Sequence, residues 1–252
     1  MFAIERKQYI IELLNKNKRV YVSELSGALK VTEETIRRDL KELEKSGRVL
    51  RSHGGAVLAE SGPDSTSFSE RELANSGAKN AIAKTAAALI EDGMFLMVDT
   101  STTAKAVISR LPPKKSVTIL TNSYRLINDL SYNENLKFIG TGGDVRAHYQ
   151  AFVGSDALRA ISRYHADLAL LGAHSVSREF GFMESNIEEC DVKISMRGHC
   201  SRCVVVADSS KFDRLSKVSC LSFNDCDFFI TDKMPSTQWQ ELFRRSGITV
   251  QY

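Results

Sequence analysis

A short stretch near the amino terminus carries side chains that could bind DNA. Ile36, Leu40 and Leu43 recur at helical spacing and predict the buried face of a helix. The opposite face is polar and carries Thr35, Arg37, Arg38 and Lys41. A helix fits the major groove, where Arg reads guanine edges while Lys and Thr bind phosphates. The pattern favours a recognition helix, although a helical bundle with exposed arginines would explain any single Arg equally well.

A second set of small and polar residues follows the predicted strands in the rest of the chain. Four of them stand between a strand and a helix, namely Asp99, Ser101, Thr102 and Thr103. Hydroxyl groups at a helix amino terminus suit an anion, but a Thr there is also an ordinary helix cap. Similar residues follow other strands at 121–123, 140–143, 171–173 and 208–212. Because the carboxyl ends of parallel strands meet at one edge of a sheet, these segments predict one ligand site.

Three helices are expected to position the DNA-contacting side chains. The first has its apolar face at Ile10 and Leu14. Ser23 and Thr32 provide hydroxyl groups where the second and third helices would begin, so we expect each to act as an N-cap. We also expect both residues to contact DNA.

A hairpin is expected to follow the third helix. Segments 48–51 and 57–58 are apolar and flank Gly54-Gly55, which is typical of two short strands and a turn. Such a hairpin would be the wing of a winged helix-turn-helix. It would hold Arg51 and His53 against the DNA backbone or the minor groove.

The rest of the chain alternates between predicted strands and helices. Residues 59–69 contain few apolar side chains and indicate a linker, with a connecting helix near 69–73, before a helix at 79–90. Strands are expected at 94–98, 117–120, 136–139, 168–171, 203–206 and 228–230. Helices are expected at 104–110, 124–131, 156–163, 187–197 and 237–245. This alternation predicts a largely parallel sheet covered by helices on both faces.

Charge is distributed unevenly along the 252 residues. Residues 1–58 contain 12 Lys and Arg against 8 Asp and Glu, whereas the remainder contains 22 against 23. A positive excess at one end indicates a polyanionic partner there, although a solvated basic surface would look the same. No apolar run approaches the roughly 20 residues of a membrane helix, and no secretory signal is apparent. We therefore expect a cytoplasmic protein.

The five cysteines do not suggest a disulfide framework, because their spacing is uneven. Cys200 and Cys203 form a C-x-x-C, which raises the possibility of a zinc or redox site. A zinc site needs a second well-spaced pair, and the spacing of Cys220 and Cys226 is poor for one. We expect neither a metal nor a cofactor.

Two motifs of the amino-terminal region closely resemble the DeoR family of bacterial transcriptional regulators. They are V-T-E-E-T-I-R-R-D-L at residues 31–40 and R-S-H-G-G-A at residues 51–56. The family more often has Ser at the position of Thr32, and both residues provide a capping hydroxyl. The resemblance implies a winged helix-turn-helix that binds operator DNA.

The remaining chain resembles the sugar-phosphate-sensing domain of the same family. That domain is itself similar in fold to ribose-5-phosphate isomerase and glucosamine-6-phosphate deaminase. The resemblance implies that residues 99–103 form a phosphate loop of the pattern D-x-G-T-T. It also implies effector-binding roles for Asn122, Gly142, Gly143, Glu189, Lys193 and Lys211.

Two of these assignments leave alternatives open. Ser101 stands where the family usually has Gly, so it would be strained if the position needs positive φ, and otherwise its hydroxyl could join the anion site. Glu189 and Lys193 are four residues apart on a predicted helix, which is also the spacing of a solvent-exposed ion pair.

Together these patterns predict an α/β protein in which an N-terminal winged helix-turn-helix (1–58) and a linker (59–75) precede a larger sensor domain (76–252). We expect a transcriptional regulator and not an enzyme, most plausibly a repressor of carbohydrate-metabolism genes that a phosphorylated sugar releases. Paired half-sites imply a homo-oligomer, either a dimer or a tetramer, with operator DNA and the sugar phosphate as partners and no membrane. The alternative is a sugar-phosphate isomerase or deaminase with a DNA-binding domain. Its acid and base would have to come from Asp99, Glu189 and Lys193.

Overall fold

The chain divides into two compact units, Met1–Thr66 and Ser67–Tyr252. A computed structural model describes residues 3–17, 19–45, 49–52, 54–58 and 67–252. Among the helices in these ranges, none is long and apolar enough to span a lipid bilayer.

The first unit is a three-helix domain with a small antiparallel sheet. Its elements are α1 (Ala3–Asn17), β1 (Arg19–Tyr21), α2 (Val22–Leu29), α3 (Glu33–Lys45), β2 (Val49–Ser52) and β3 (Gly55–Leu58). The strands pair in the order β1-β3-β2, so the expected hairpin has a third strand that the sequence pattern did not indicate. Three residues are too few for alternation to reveal a strand. At Gly55 a Cβ would lie 2.2 Å from the carbonyl oxygen of Val20, so β1 can approach only a glycine there.

The core of the first unit forms where the apolar periodicity predicts it. Ile10 and Leu14 of α1 pack with Ile36, Leu40 and Leu43 of α3, and all five are buried. One buried ion pair lies among them. Arg6 donates from Nε and Nη2 to the two carboxylate oxygens of Asp39, at 2.5 and 3.1 Å.

The second unit is built around a seven-stranded sheet. Its helices are α4 (Phe68–Leu73), α5 (Ser76–Ala86), α6 (Thr102–Ser109), α7 (Tyr124–Leu130), α8 (Gly154–Ile161), α9 (Ile187–Gly198) and α10 (Thr237–Arg245). Its strands are β4 (Phe95–Val98), β5 (Val117–Thr121), β6 (Leu136–Gly140), β7 (Asp144–Arg146), β8 (Ala151–Val153), β9 (Ala166–Gly172), β10 (Ser175–Ser177), β11 (Gly181–Glu184), β12 (Cys200–Val206), β13 (Val218–Leu221), β14 (Phe228–Ile230) and β15 (Thr249–Gln251). The large sheet has the order β15-β14-β12-β9-β4-β5-β6, and all its pairs are parallel.

Two hydrophobic cores sandwich this sheet. Leu96 and Val98 of β4 belong to one core, whereas Met97 between them belongs to the other, which also contains Trp239. Both faces of the strand are therefore buried, as in sheets covered by helices on both sides. The α/β fold predicted from the alternating pattern is confirmed.

The chain reverses its direction of strand addition between β4 and β9. Strands β5 and β6 extend the sheet on one side of β4, and β9, β12, β14 and β15 extend it on the other. This position is the switch point of the sheet, and the loops after β4 and β9 meet there at the carboxyl edge, where the amide of Gly172 donates to Asp99. Parallel α/β sheets bind ligands at such a point.

Three features differ from the expected arrangement. The connecting helix predicted near 69–73 is present as α4, but it buries Phe68 and belongs to the second unit, which begins at Ser67 rather than at residue 76. Residues 59–66 of the expected linker lie outside the described residues. Short antiparallel elements were also not expected, namely the β7–β8 hairpin and the sheet β10-β11-β13. Strand β15, which adds to the parallel sheet after α10, was missed as well.

Candidate DNA-binding surface and effector site

Helix α3 presents its predicted polar face to solvent. Arg37, Arg38 and Lys41 are exposed and Thr35 is half-buried. Arg37 donates to Glu33 one turn earlier at 2.6 Å, whereas no ion-pair partner of Arg38 or Lys41 is found among the described side chains. The charges of Arg38 and Lys41 are therefore available to a polyanion.

The N-cap predicted for α3 is confirmed, but the one predicted for α2 is wrong. The hydroxyl of Thr32 accepts a hydrogen bond from the amide of Thr35 at 3.3 Å. Helix α2 instead begins at Val22, after Tyr21, and has no side-chain cap. The amide of Val22 donates to the carbonyl of Gly54 in the hairpin at 2.9 Å, so backbone of the wing replaces the expected hydroxyl. Ser23 is exposed in the first turn of α2, and its contact with DNA stays a prediction.

The wing is described in part. Arg51 in β2 is exposed, and its guanidinium lies 3.8 Å from the Glu44 carboxylate. His53, the other residue predicted in the wing, lies outside the described residues.

The carboxylate of Asp99 joins the ends of β4 and β9 at the switch point. Its Oδ1 accepts from the amide of Ser101 and its Oδ2 from the amide of Gly172, both at 2.9 Å. The side chain is buried. Asp99 therefore shapes the loop that was predicted to bind phosphate.

Lys193 on α9 forms ion pairs with two buried carboxylates at this edge. Its ammonium group donates to Asp99 and to the carbonyl of Gly172 (3.0 Å), and it lies 3.2 Å from a carboxylate oxygen of Glu184. Burial alone would lower the pKa of Lys193, but Asp99 and Glu184 outweigh that effect and raise it. The ammonium group is therefore held in its charged form.

Glu189 completes this buried cluster. The hydroxyl of Thr100 donates to its Oε1 at 3.2 Å. Burial, reinforced by the charge of Glu184, raises the pKa of Glu189 to about 7. Glu189 and Lys193 are both buried, so the alternative of a solvent-exposed ion pair is wrong. Their contact with an effector stays a prediction.

The structure resolves the conformation of Ser101. Its φ is −64°, so Ser is not strained where the family usually has Gly. It is the N-cap of α6, and its hydroxyl accepts from the amides of Thr103 and Ala104 at 3.1 and 3.2 Å. A Cβ on Gly172 would lie 2.3 Å from this hydroxyl, so the glycine makes room for it. The hydroxyl consequently occupies amide groups that an anion could otherwise use.

Asn122 and the glycine pair lie beside the β7–β8 hairpin. The amide nitrogen of Asn122 donates to the carbonyl of Phe152 at 3.1 Å, while its buried Oδ1 has no partner among the described residues. Gly142 and Gly143 have φ values of 66° and 112°. A Cβ on Gly143 would lie 2.5 Å from the carbonyl of Val153. Backbone geometry thus suffices to require Gly143, whether or not a ligand approaches it.

Lys211 and His174 bring further polar side chains to the same edge. Lys211 ends the short turn Ser209–Lys211 after β12 and is half-buried, and burial lowers its pKa although Asp208 opposes the effect. Burial also lowers the pKa of His174, so its imidazole is neutral at neutral pH. Asn75 ties this region to α4 because its side-chain nitrogen donates to Asp208 and Ser210, both at 3.1 Å.

A cleft of about 330 Å³ lies next to the start of α6. Of the predicted effector residues, Thr102 lines it, together with Glu72, Lys79 and Lys105. The other predicted residues lie outside this cleft, so its volume does not represent the site as a whole.

The cysteines show no feature of a metal or redox site. All five are free thiols, and burial raises the pKa of Cys200 and of Cys203. Thiols of raised pKa are poor nucleophiles and poor metal ligands. Within the described part of the chain, no group of three His, Cys, Asp or Glu side chains is placed to hold a metal ion.

Comparison with protein families identifies both units. Residues 6–62 match the model of the DeoR-like helix-turn-helix domain, and residues 74–233 match the model of the DeoR C-terminal sensor domain. The chain belongs to the DeoR family. DeoR proteins are transcriptional regulators and not enzymes, as the two amino-terminal motifs led us to expect.

Relatives of this DeoR-family chain align over nearly its whole length. The uncharacterized HTH-type transcriptional regulator YulB of Bacillus subtilis is 37% identical and covers 92% of this chain and 90% of its own. The glycerol-3-phosphate regulon repressor of Escherichia coli K12 is 31% identical and covers 93% of each chain. Among solved structures, a ribose 5-phosphate isomerase from Methanocaldococcus jannaschii is 20% identical over 55% of each chain, with a TM-score of 0.41.

Two charged residues of this DeoR protein escaped prediction. Glu184 ends β11, which belongs to an antiparallel sheet that the chain pattern did not indicate. Arg71 lies on α4, in the segment expected to be a linker. Neither occupies the end of a predicted parallel strand, which was the signal used to find the other residues.

Proposed function

We propose that this protein is a DNA-binding repressor of carbohydrate-metabolism genes that a phosphorylated sugar releases from its operator. One observation carries the proposal. A DeoR-type helix-turn-helix with an exposed basic helix is joined to a sensor unit whose strand ends collect buried polar side chains at the switch point. The second unit thus has a place for a small ligand, and the first has a surface for DNA.

The DNA-binding half rests on α3 and the wing. Arg38 and Lys41 extend from the exposed face of α3, and the hairpin of β2 and β3 places Arg51 beyond its end. Side chains of these types read bases and hold phosphates when a helix enters the major groove. Helix-turn-helix domains bind paired half-sites, so we infer a homo-oligomer, and we infer a cytoplasmic location because the operator lies there.

The proposed binding of a phosphorylated sugar is supported by the charged side chains at the carboxyl edge of the parallel sheet. Lys193 is engaged by Asp99 and Glu184, whereas Lys211 from the loop after β12 is half-buried and forms no ion pair among the described residues. An anion would compensate such a charge, and hydroxyl and amide groups beside it suit a phosphorylated sugar. The name of the E. coli relative, glycerol-3-phosphate regulon repressor, supports a phosphorylated metabolite as the ligand class.

The test has two steps. An operator is first selected from a randomised duplex library with the purified full chain. Sugar phosphates and their unphosphorylated parents are then screened, first for a rise in unfolding temperature and next for release of that operator. A phosphorylated compound that does both supports the proposal. Operator binding with no response to any phosphorylated sugar would refute the assigned ligand class but keep the DNA-binding role.

A double variant connects the response to the site. Thr102→Ala with Lys211→Ala should retain operator affinity and lose release by the active compound, because the substitutions lie in the second unit. Lys114→Ala is a control on the same unit, because Lys114 is exposed and precedes β5, at the amino ends of the parallel strands. A double variant that is released as readily as wild type would remove Thr102 and Lys211 from the effector site.

A further inference from the structure

Arg71 carries buried hydrogen-bond donors that nothing satisfies. Its Nε and Nη2 atoms are inaccessible to solvent and have no hydrogen-bond partner among the described residues. A buried guanidinium donor without a partner costs free energy, and most buried polar groups are paired for that reason. Nε and one Nη form one edge of the guanidinium, which is the edge that binds two oxygens of a carboxylate or phosphate at once.

The guanidinium is held in place by its surroundings. Its central carbon lies 5.5 Å from the ring centroid of Phe68 and 5.5 Å from that of Tyr149. Phe68 is buried, and its amide donates to the carbonyl of His148 at 3.4 Å. The side chain is therefore fixed between two aromatic rings before any ligand binds.

The backbone of Arg71 is fixed as well. Its carbonyl accepts from the ammonium group of Lys79 and from the hydroxyl of Thr102, the latter at 3.5 Å. Lys79 also donates to the carbonyl of Ala74 at 2.7 Å, so it caps the end of α4. A capping box between Ser67 and Glu70 closes the other end. Helix α4 is short, yet both its ends are satisfied.

The charge of Arg71 acts on residues of the predicted effector site, which places Arg71 near that site. Its charge contributes to lowering the pKa of His174 and of Lys211, and it acts on Glu189 in the same direction. Three elements therefore converge near it: the start of α6 through Thr102, the loop after β12 through Lys211, and α9 through Glu189. Lys193 engages Asp99 and Glu184, and no ion pair of Arg71 is found among the described residues.

We infer that the guanidinium of Arg71 is a direct ligand of the effector, donating from Nε and Nη2 to two oxygens of its phosphate group. This inference rests on the proposed function and adds a residue to its site. Helix α4 is the first element of the second unit. Arg71 lies on the helix that directly follows residues 59–66, so a bound effector would contact the start of the second unit.

Arg197 provides a matched control. It also has a buried Nε without a partner among the described residues. It lies in the last turn of α9, beside Cys200 at the amino end of β12, which is the opposite edge of the sheet from Asp208. Removing its charge should leave effector binding unchanged.

The test compares Arg71→Met, Arg71→Lys and Arg197→Met in the full chain. Affinity is measured by calorimetry for the sugar phosphate that most stabilises wild type, and for inorganic phosphate. Loss of two charge-assisted hydrogen bonds should weaken binding of the sugar phosphate by about 10- to 100-fold in Arg71→Met. Arg71→Lys should bind with intermediate affinity because it keeps the charge but loses the fork. Arg197→Met should bind as wild type does.

The unfolding temperature without ligand separates a binding role from a structural one. Arg71→Met loses the contacts of the guanidinium with the rings of Phe68 and Tyr149, but it also removes buried donors that have no partner among the described residues, so the unfolding temperature should change little. Lowered temperatures in both Arg71 variants, together with weaker binding, would assign Arg71 a structural role and overturn the inference. Equal affinity of Arg71→Met and wild type would overturn it while the proposed function stands. If wild type itself binds no phosphorylated sugar, the proposed ligand class fails and the inference fails with it.

Discussion

Replacing Glu189 by Gln should stabilise the second unit above neutral pH and have much less effect in mild acid. Burial and the nearby charge of Glu184 raise the pKa of Glu189 from its ordinary value of 4.5 to about 7. The folded state therefore prefers the protonated carboxyl, and the unfolded state does not. The stability contributed by this group is complete below the unfolded pKa and is lost as the pH rises through the folded pKa. Gln cannot ionise, so the variant avoids that loss.

The expected magnitude follows from the two pKa values. Each pKa unit corresponds to about 1.4 kcal/mol, so ionising the buried carboxyl costs about 3 kcal/mol once the pH is above both values. At about pH 5 most of this cost is absent, and the expected gain from the substitution is about 1 kcal/mol. The hydroxyl of Thr100, which donates to Oε1 of Glu189, can donate equally to the carbonyl oxygen of Gln.

Denaturant unfolding at about pH 5 and about pH 8, followed by tryptophan fluorescence, measures the effect. Trp239 is the single tryptophan of the chain and is buried in a core of the second unit, so its signal reports on that unit. Glu188→Gln is the matched control, because its neighbour Arg146 lowers the pKa of Glu188 and the pair is exposed. The control should be neutral or slightly destabilised. If Glu189→Gln gains no more stability at about pH 8 than at about pH 5, the reasoning from buried charge is refuted.

Three further predictions test other parts of the structure. Arg38→Ala should weaken operator binding more than Arg37→Ala, because Arg37 already forms an ion pair within its own helix. Fluorescence anisotropy with a labelled operator measures the affinity of both variants, and a larger loss in Arg37→Ala would contradict the role assigned to Arg38. Ser101→Gly should raise affinity for the active sugar phosphate severalfold, because it frees two amide groups at the start of α6 and costs only a few tenths of a kcal/mol in lost capping. Affinity is measured by calorimetry, and an unchanged value would show that no anion uses those amides. Asp39→Ala should destabilise the first unit by about 3–5 kcal/mol, because it removes the buried carboxylate that pairs with Arg6. Thermal unfolding followed by circular dichroism measures the effect, and an unchanged melting temperature would contradict this prediction.

Much of the architecture follows from local patterns in the chain. The spacing of Ile36, Leu40 and Leu43 predicts α3 and its buried face because side chains three or four residues apart share one side of a helix. Long apolar runs predict β4, β5, β9 and β12 for a similar reason, since strands covered on both faces are apolar throughout. Strands β1 and β11 were missed because neither is an apolar run: β1 is Arg19–Tyr21, and β11 begins at Gly181 and ends at Glu184.

The sequence by itself determined the order of the longer helices and parallel strands, the apolar faces of the helices, the family motifs and the residues at the parallel strand ends. Tertiary structure alone decided which polar and charged side chains meet and which of them are buried. Glu189 and Lys193 have the spacing of an exposed pair, and only the packing of α9 buries both and brings Lys193 to Asp99 and Glu184 and Glu189 to Thr100. Arg71 stands in a polar segment that resembles a linker, and its unpaired donors become visible only when α4 folds against Tyr149. Spacing is a local property, whereas burial depends on residues far apart in the chain, and burial sets the cost of a charge.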